Sequence, residues 1–163
     1  MTADSVLDEE TWDRLAEIIK AAHQSDREAF LARVQSFAQE MKHPAHQRAG
    51  LYVWYLLRNA AGGKVGGRAP TDAELTRISR EYFPKFSALV TADRITMEDT
   101  FRKVFERPPR KKEIRPGDLL MLGPAAIGVL YEDPDAELSK MKPHLNRWWQ
   151  KHAEEFHGQG LLK

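Results

Sequence analysis

The feature that most constrains the fold is an uncharged run near the centre of the sequence. Residues 49–57 read AGLYVWYLL and carry no charged side chain. A helix that is apolar on all sides has no face suited to water, so other helices normally enclose it. The run is also far shorter than the roughly 20 residues that a membrane-spanning helix needs. It therefore predicts a central helix, at about 45–59, with the rest of the chain packed around it.

Amphipathic helices are predicted on both sides of this run, because apolar residues recur there at intervals of three and four. Stripes of this kind lie within residues 8–23, 25–41, 71–82, 96–105 and 134–156. Two capping-box patterns, Ser25-x-x-Glu28 and Thr71-x-x-Glu74, indicate where helices begin. In such a box each of the two side chains satisfies the free backbone N–H of the other residue.

One region, GDLLMLGPAAIGVLYED at residues 117–133, is compatible with two structures. Its Leu and Met residues favour a helix, whereas the β-branched residues near its end could form a strand after a turn at Gly123-Pro124. The composition favours two short helical pieces broken at Gly123-Pro124. The sequence as a whole predicts an all-α, single-domain bundle of six or seven helices over residues 1–163.

The charge balance limits what the whole surface can attract. The 163 residues include 25 Lys and Arg against 24 Asp and Glu, for a net charge of +1. A nearly neutral protein has no global field for nucleic acid or an anionic membrane, so such a contact needs a local patch. The absence of cysteine excludes disulfides, thiolate catalysis and cysteine-bound zinc. The acidic start, MTADSVLDEETW, does not resemble a signal peptide, so a cytoplasmic protein without membrane contact is expected.

Two Glu-x-x-His pairs, Glu40 with His43 and Glu154 with His157, are the candidates for a metal site. This spacing places both ligands on one helix face, as in di-iron carboxylate bundles. The further carboxylates would come from Glu17 and either Glu81 or Glu98. Both pairs lie at predicted helix ends without a clear carboxylate shell, so no metal and no cofactor is expected. No nucleophile motif occurs, and the Gly-rich residues 60–70 lack the P-loop spacing, so an enzyme is the less favoured class.

Five aromatic residues of the central and last helices could line a ligand pocket: Tyr52, Trp54, Tyr55, Trp148 and Trp149. Such side chains bury a large area, and each keeps one polar group. Positions in the hydrophobic core are the favoured interpretation. A small-molecule site between helices is the alternative.

The strongest binding candidate is the segment FERPPRKKEIRPG, at residues 105–117. Its cations are Arg107, Arg110, Lys111, Lys112 and Arg115. Two adjacent prolines favour an extended backbone, which reduces the entropy lost on binding. Because such a segment is not expected to bury its cations, their repulsion is expected to persist until an acidic surface approaches. The acidic N-terminal helix, of the same chain or of a second subunit, is one such surface.

Three hypotheses of function follow. The favoured one is a non-enzymatic helical binding or regulatory module that contacts an acidic partner protein, or a second copy of itself, through the five cations. The first alternative is a nucleic-acid-associated protein that uses the same cations on phosphates. The second is a small-molecule or di-metal helical-bundle enzyme. For the segment itself, a solvated connector without a partner is the simplest explanation.

Overall fold

The computed structural model describes residues 7–42 and 44–158, with backbone alone at positions 153, 154 and 156–158. These residues form helices and no strand, which confirms the all-α prediction. The helices are α1 (Glu9–His23), α2 (Arg27–Glu40), α3 (Ala45–Gly63), α4 (Asp72–Ser87), α5 (Arg94–Val104), α6 (Pro116–Leu130) and α7 (Pro134–Gly158). They pack around one shared hydrophobic core.

One of the two predicted capping boxes is present and the other is wrong. At the start of α4, Thr71 accepts from the backbone N–H of Glu74, and the Glu74 carboxylate accepts from that of Thr71. At the start of α2, Asp26 is the capping residue instead of Ser25. Ser25 has a φ of 57°, in the left-handed region, so it belongs to the turn between α1 and α2. The cap therefore lies one residue later than the sequence pattern suggested.

The region at 117–133 is helical as favoured, but the break predicted at Gly123-Pro124 is wrong. Helix α6 runs through Pro124 without interruption and packs against α1, α3, α4 and α5. A Cβ on Gly123 would lie 2.2 Å from Val53 Cγ1, and one on Gly128 would lie 2.5 Å from the Cβ of Ala22. The glycines thus allow α3 and α1 to approach closely. Burial against several helices outweighs the local preference for a break.

Helix α3 occupies the central position predicted for residues 45–59, continues to Gly63, and shares the centre with α6. One face of α3 is fully buried and carries Tyr52, Val53, Leu56 and Leu57. Its other face is only partly buried, and Trp54 lies there. The uncharged run therefore forms one wall of the core and also reaches the surface, because α3 packs against α1, α5, α6 and α7 but is not enclosed on every side.

No helix in the described part of the chain combines the length and the apolar character that crossing a bilayer requires. The longest, α7, has 25 residues with charged side chains distributed along it. The most apolar, α6, has only 15 residues, fewer than the roughly 20 that a span needs.

Candidate functional site

The predicted binding segment forms a loop between α5 and α6, the basic loop (residues 105–115), which folds back onto the same chain. Arg107 pairs with Asp72 at the start of α4 at 3.1 Å. Lys111 pairs with Asp93, the N-cap of α5, at 2.5 Å, and this contact lowers the pKa of Asp93. Two cations of the basic loop are therefore matched by carboxylates at the first turns of neighbouring helices.

A third cation of the basic loop reaches a carboxylate in the protein interior. Glu98, on α5, is 0% exposed. Arg94 contacts one of its oxygens at 3.0 Å, and Arg110 forms an ion pair with the other. A buried carboxylate is strongly unfavourable unless it is paired, so the two guanidinium groups offset the cost of burying the Glu98 side chain.

The backbone of the basic loop is fastened by a second buried carboxylate, that of Asp99, which is 1% exposed. It accepts three consecutive backbone N–H groups, from Arg110 at 2.7 Å, Lys111 at 3.1 Å and Lys112 at 3.0 Å. Consecutive amides that converge on one anion form a fixed concave arrangement. Asp99 therefore sets the conformation in which the loop presents its side chains.

The expectation that the five cations repel one another until a partner approaches is wrong, because α4 and α5 supply carboxylates from the same chain. Within the chain the N-terminal helix is not that acidic surface, since Glu9 pairs with Lys142 and Glu17 pairs with Arg33. Pairing with the N-terminal helix of a second subunit stays a prediction. The Arg115 side chain is 78% exposed, and its one ion pair with the described residues is with Asp118, three residues later, at 3.4 Å. The side chain of Lys112 is exposed and forms no ion pair with the described residues. Partner binding by these five residues remains a prediction.

An apolar groove of about 360 Å³ lies between α3 and the first turns of α6. The wall from α3 includes Gly50, Leu51 and Trp54, and the wall from α6 includes Leu119 and Leu120. A Cβ built on Gly50 would meet nothing within 4 Å, so this residue borders open space. The groove is therefore a surface channel with an apolar lining.

The groove continues beneath the basic loop. A second cleft, of about 450 Å³, is lined by Trp54, Lys103, Arg107, Pro108 and Pro109, among others. Trp54 and Lys103 border both the groove and this cleft. The apolar channel and the loop thus form one continuous surface feature, with Arg107 of the loop at its edge.

Trp54, at the junction of groove and cleft, belongs to a partly exposed aromatic cluster. Trp54 stacks on Trp148 with ring centroids 6.0 Å apart and 18° between the planes, and Tyr55 lies 5.0 Å from Trp148. The guanidinium of Arg58 lies 4.4 Å from the centre of the Trp54 ring. This cation–π contact adds a positive charge to the aromatic surface.

The interpretation of the five aromatic residues as core is right for Tyr52 and Trp149 and wrong for the others. Those two rings are fully buried and meet edge to face at 5.1 Å. Trp54, Tyr55 and Trp148 are only partly buried. The helical period places Trp54 and Tyr52 on different sides of α3, but only the packing of α6 and α7 decides which side is covered.

The metal-site candidates are not brought together in the described structure. His43 lies outside the described residues, as do the side chains of Glu154 and His157. Glu40 pairs with Arg14 at 2.8 Å, and that contact lowers the pKa of Glu40. Among the side chains that the structure describes, no group of three His, Asp or Glu could hold a metal ion.

Sequence reasoning did not find the role of the acidic pair on α5. Glu98 was considered only as a metal ligand, and Asp99 was not considered. The available signal was their position: two adjacent carboxylates in mid-helix, amid apolar residues, a few residues before a run of cations. Carboxylates in such apolar surroundings need partners, and the following cationic segment is the nearest source in the sequence.

Comparisons with protein-family models, with curated proteins and with solved structures find no match to this chain.

Proposed function

We propose that this chain is a non-enzymatic interaction module that binds an acidic, amphipathic helical segment of a partner protein in the α3–α6 groove. The observation that carries the proposal is the continuity of the apolar groove with the basic loop, through Trp54 and Lys103. A partner segment would place its apolar residues in the groove and its carboxylates against the loop.

The dimensions of the groove support a helical ligand. Its α3 wall runs from His46 to Trp54, roughly 12 Å at about 1.5 Å per residue, which matches about two turns of a bound helix. Helices that bind in grooves use apolar anchors at spacings of three, four and seven residues. Trp54 offers a partly exposed aromatic surface, and tryptophan is among the residues that contribute most to binding when an interface covers them.

The charges around the groove support an acidic ligand. Lys103 pairs with Glu113 at 2.7 Å and Arg107 pairs with Asp72 at 3.1 Å, and both carboxylates are exposed. Exposed ion pairs are typically worth only about 0–1 kcal/mol, so carboxylates of a partner can replace them at little cost. Because the net charge of the chain is only +1, this attraction acts locally and not over the whole surface.

Selection from a displayed library of random peptides of about 16 residues, long enough for four helical turns, tests the proposal. We expect enriched sequences with apolar residues at helical spacing and Asp or Glu between them. Affinity, measured by fluorescence anisotropy, should weaken as salt is raised from about 50 to about 300 mM, because the screening length shortens. Enriched peptides without acidic residues would contradict the proposal. Preferential binding of duplex DNA would favour the nucleic-acid alternative.

Two variants locate the binding surface. Gly50→Phe places a ring in the open space of the groove and should abolish peptide binding without touching the core. Ala32→Phe, at an exposed position of α2 that does not border the groove, is the matched control and should bind normally. The double variant Lys112→Glu, Arg115→Glu reverses the charge of the two loop cations that do not pair with carboxylates of α4 or α5, and it should weaken peptide binding. Wild-type affinity in Gly50→Phe would exclude the groove.

A further inference from the structure

Arg58, near the end of α3, differs from the other arginines that the fold buries partly or fully. In the described part of the chain, each of those others forms an ion pair with a carboxylate: Arg14, Arg48, Arg94, Arg102 and Arg107. Arg58 is also partly buried, but it forms no hydrogen bond and no ion pair with the described residues. A guanidinium always carries its charge, and burying a charge without a partner is unfavourable. Arg58 therefore calls for an anion that the described residues do not supply.

Two aromatic rings position the Arg58 guanidinium. Its central carbon lies 4.4 Å from the centre of the Trp54 ring and 5.4 Å from the centre of the Phe105 ring. Cation–π contacts of this kind offset part of the cost of removing the charge from water. A ring offers no oxygen acceptor, so the five N–H donors of the guanidinium stay available for a ligand.

A small pocket lies beside this guanidinium, between the end of α3, the Gly-rich loop that follows it (residues 64–71) and the start of the basic loop. Its volume is about 200 Å³, and it shares no lining residue with the groove or with the cleft under the basic loop. Small-molecule sites typically measure about 300–1,000 Å³, so this pocket suits a smaller ligand. A Cβ on Gly62 would lie 3.2 Å from the carbonyl oxygen of Arg68, so the glycine lets the Gly-rich loop lie close to α3 and form one wall of the pocket.

The charges around the pocket leave a single positive charge unmatched, that of Arg58. Arg68, which also lines the pocket, donates two hydrogen bonds of 2.7 Å to Glu74. Arg107, whose guanidinium lies 5.8 Å from the centre of the Phe105 ring, pairs with Asp72. The last carbonyl groups of α3 add partial negative charge at this end of the helix, which disfavours an anion with two charges. A guanidinium presents parallel donors in one plane, so the best match is a carboxylate, with one charge and two oxygens in a plane.

We propose that this pocket binds a small monocarboxylate through Arg58. The two carboxylate oxygens would accept parallel N–H groups of the guanidinium, and the short apolar part of the ligand would lie on the Phe105 ring. One amide hydrogen of Asn59 is bonded to the carbonyl of Tyr55 at 2.8 Å, so the other remains as a further donor to the ligand. The pocket is separate from the α3–α6 groove, so this inference does not depend on the proposed function.

Titration of ¹⁵N-labelled protein with acetate, butyrate and benzoate at constant ionic strength tests this inference, through the NMR signals of the Arg58 Nε–H and of the Asn59 and Ala69 amides. We expect saturable shifts with at least one carboxylate below about 10 mM, a range that includes even weak ligands. Inorganic phosphate should bind more weakly, and butylamine should not bind. Absence of saturable shifts with all three carboxylates would overturn the inference. Tighter binding of phosphate would overturn the monocarboxylate class.

Variants of Arg58 assign the binding to its guanidinium. Arg58→Gln should weaken carboxylate binding at least tenfold, the factor that corresponds to roughly 1.4 kcal/mol. Arg58→Lys keeps the charge but loses the planar pair of donors, so it should restore only part of the affinity. Arg77→Gln, at an exposed arginine of α4 that does not line the pocket, is the matched control and should bind normally. Equal weakening in Arg77→Gln would assign the effect to the overall charge and contradict a local site.

A second pair of variants tests the pocket without changing a charge. Ala69→Phe places a ring in the pocket from an exposed position of the Gly-rich loop, so it should block binding and leave the melting temperature unchanged. Ala73→Phe, at an exposed position of α4 outside the pocket, is its control and should bind normally. This pair keeps the test decisive if Arg58→Gln does not fold. Normal binding in a folded Ala69→Phe variant would exclude the pocket.

Discussion

Changing Asp99 to asparagine tests whether one buried carboxylate holds the basic loop in place. Asp99 accepts three backbone N–H groups, and a hydrogen bond to a charged group contributes about 1.5–3 kcal/mol net. One Asp99 oxygen accepts from both Lys111 and Lys112, and an asparagine carbonyl could keep these two bonds. The amide NH₂ would then face the N–H of Arg110, donor against donor. Loss of one bond and weakening of two others predicts a destabilisation of about 2–4 kcal/mol.

Urea denaturation measures the free energy of unfolding, and amide hydrogen exchange measures the loop directly. In Asp99→Asn we expect a lower midpoint and faster exchange at Arg110, Lys111 and Lys112. Asp135→Asn is the matched control, since Asp135 is exposed and forms only a surface ion pair with Lys20, worth at most about 1 kcal/mol. A loss below about 0.5 kcal/mol in Asp99→Asn, with unchanged exchange, would refute the role assigned to this carboxylate.

Two further predictions concern helix packing and pH. Gly128→Ala should cost more stability than Gly123→Ala, and more than the roughly 1–3 kcal/mol typical of overpacking. A Cβ at Gly128 would meet backbone atoms of α1 at 2.7 and 2.9 Å, whereas the three closest atoms at Gly123 all belong to the side chains of Val53 and Leu119. Equal losses in urea denaturation would contradict this explanation. Hydrogen bonds from the Arg68 guanidinium and from the backbone of Thr71 lower the pKa of Glu74 to about 2. The stabilisation that ionised Glu74 gives the folded protein should therefore be complete above pH 4.5 and lost as the pH falls towards 2. A ¹³C NMR titration of the carboxyl group should give a midpoint near 2 that rises in Arg68→Ala, and a wild-type midpoint near 4.5 would disagree with the contact.

The sequence by itself determined the class of structure and most helix positions. The apolar period of three and four residues predicts the amphipathic helices, and the Thr71 capping box predicts the start of α4. These features depend on residues within about one helical turn of each other, so they can be read without knowing the rest of the fold. The concentration of cations at 105–115 is visible in the same way, and it identifies the loop that borders the groove.

Only the tertiary structure decided how these parts are used. Helix α6 continues through Gly123-Pro124 because four other helices bury it. Trp54 borders a groove because the described helices cover that side of α3 only in part. Asp99 holds the backbone of the basic loop. Carboxylates at the start of α4 and in and before α5 pair with its Arg107, Arg110 and Lys111. Burial and charge pairing depend on which distant residues the fold brings within a few ångströms, and a one-dimensional pattern of side chains does not contain those distances.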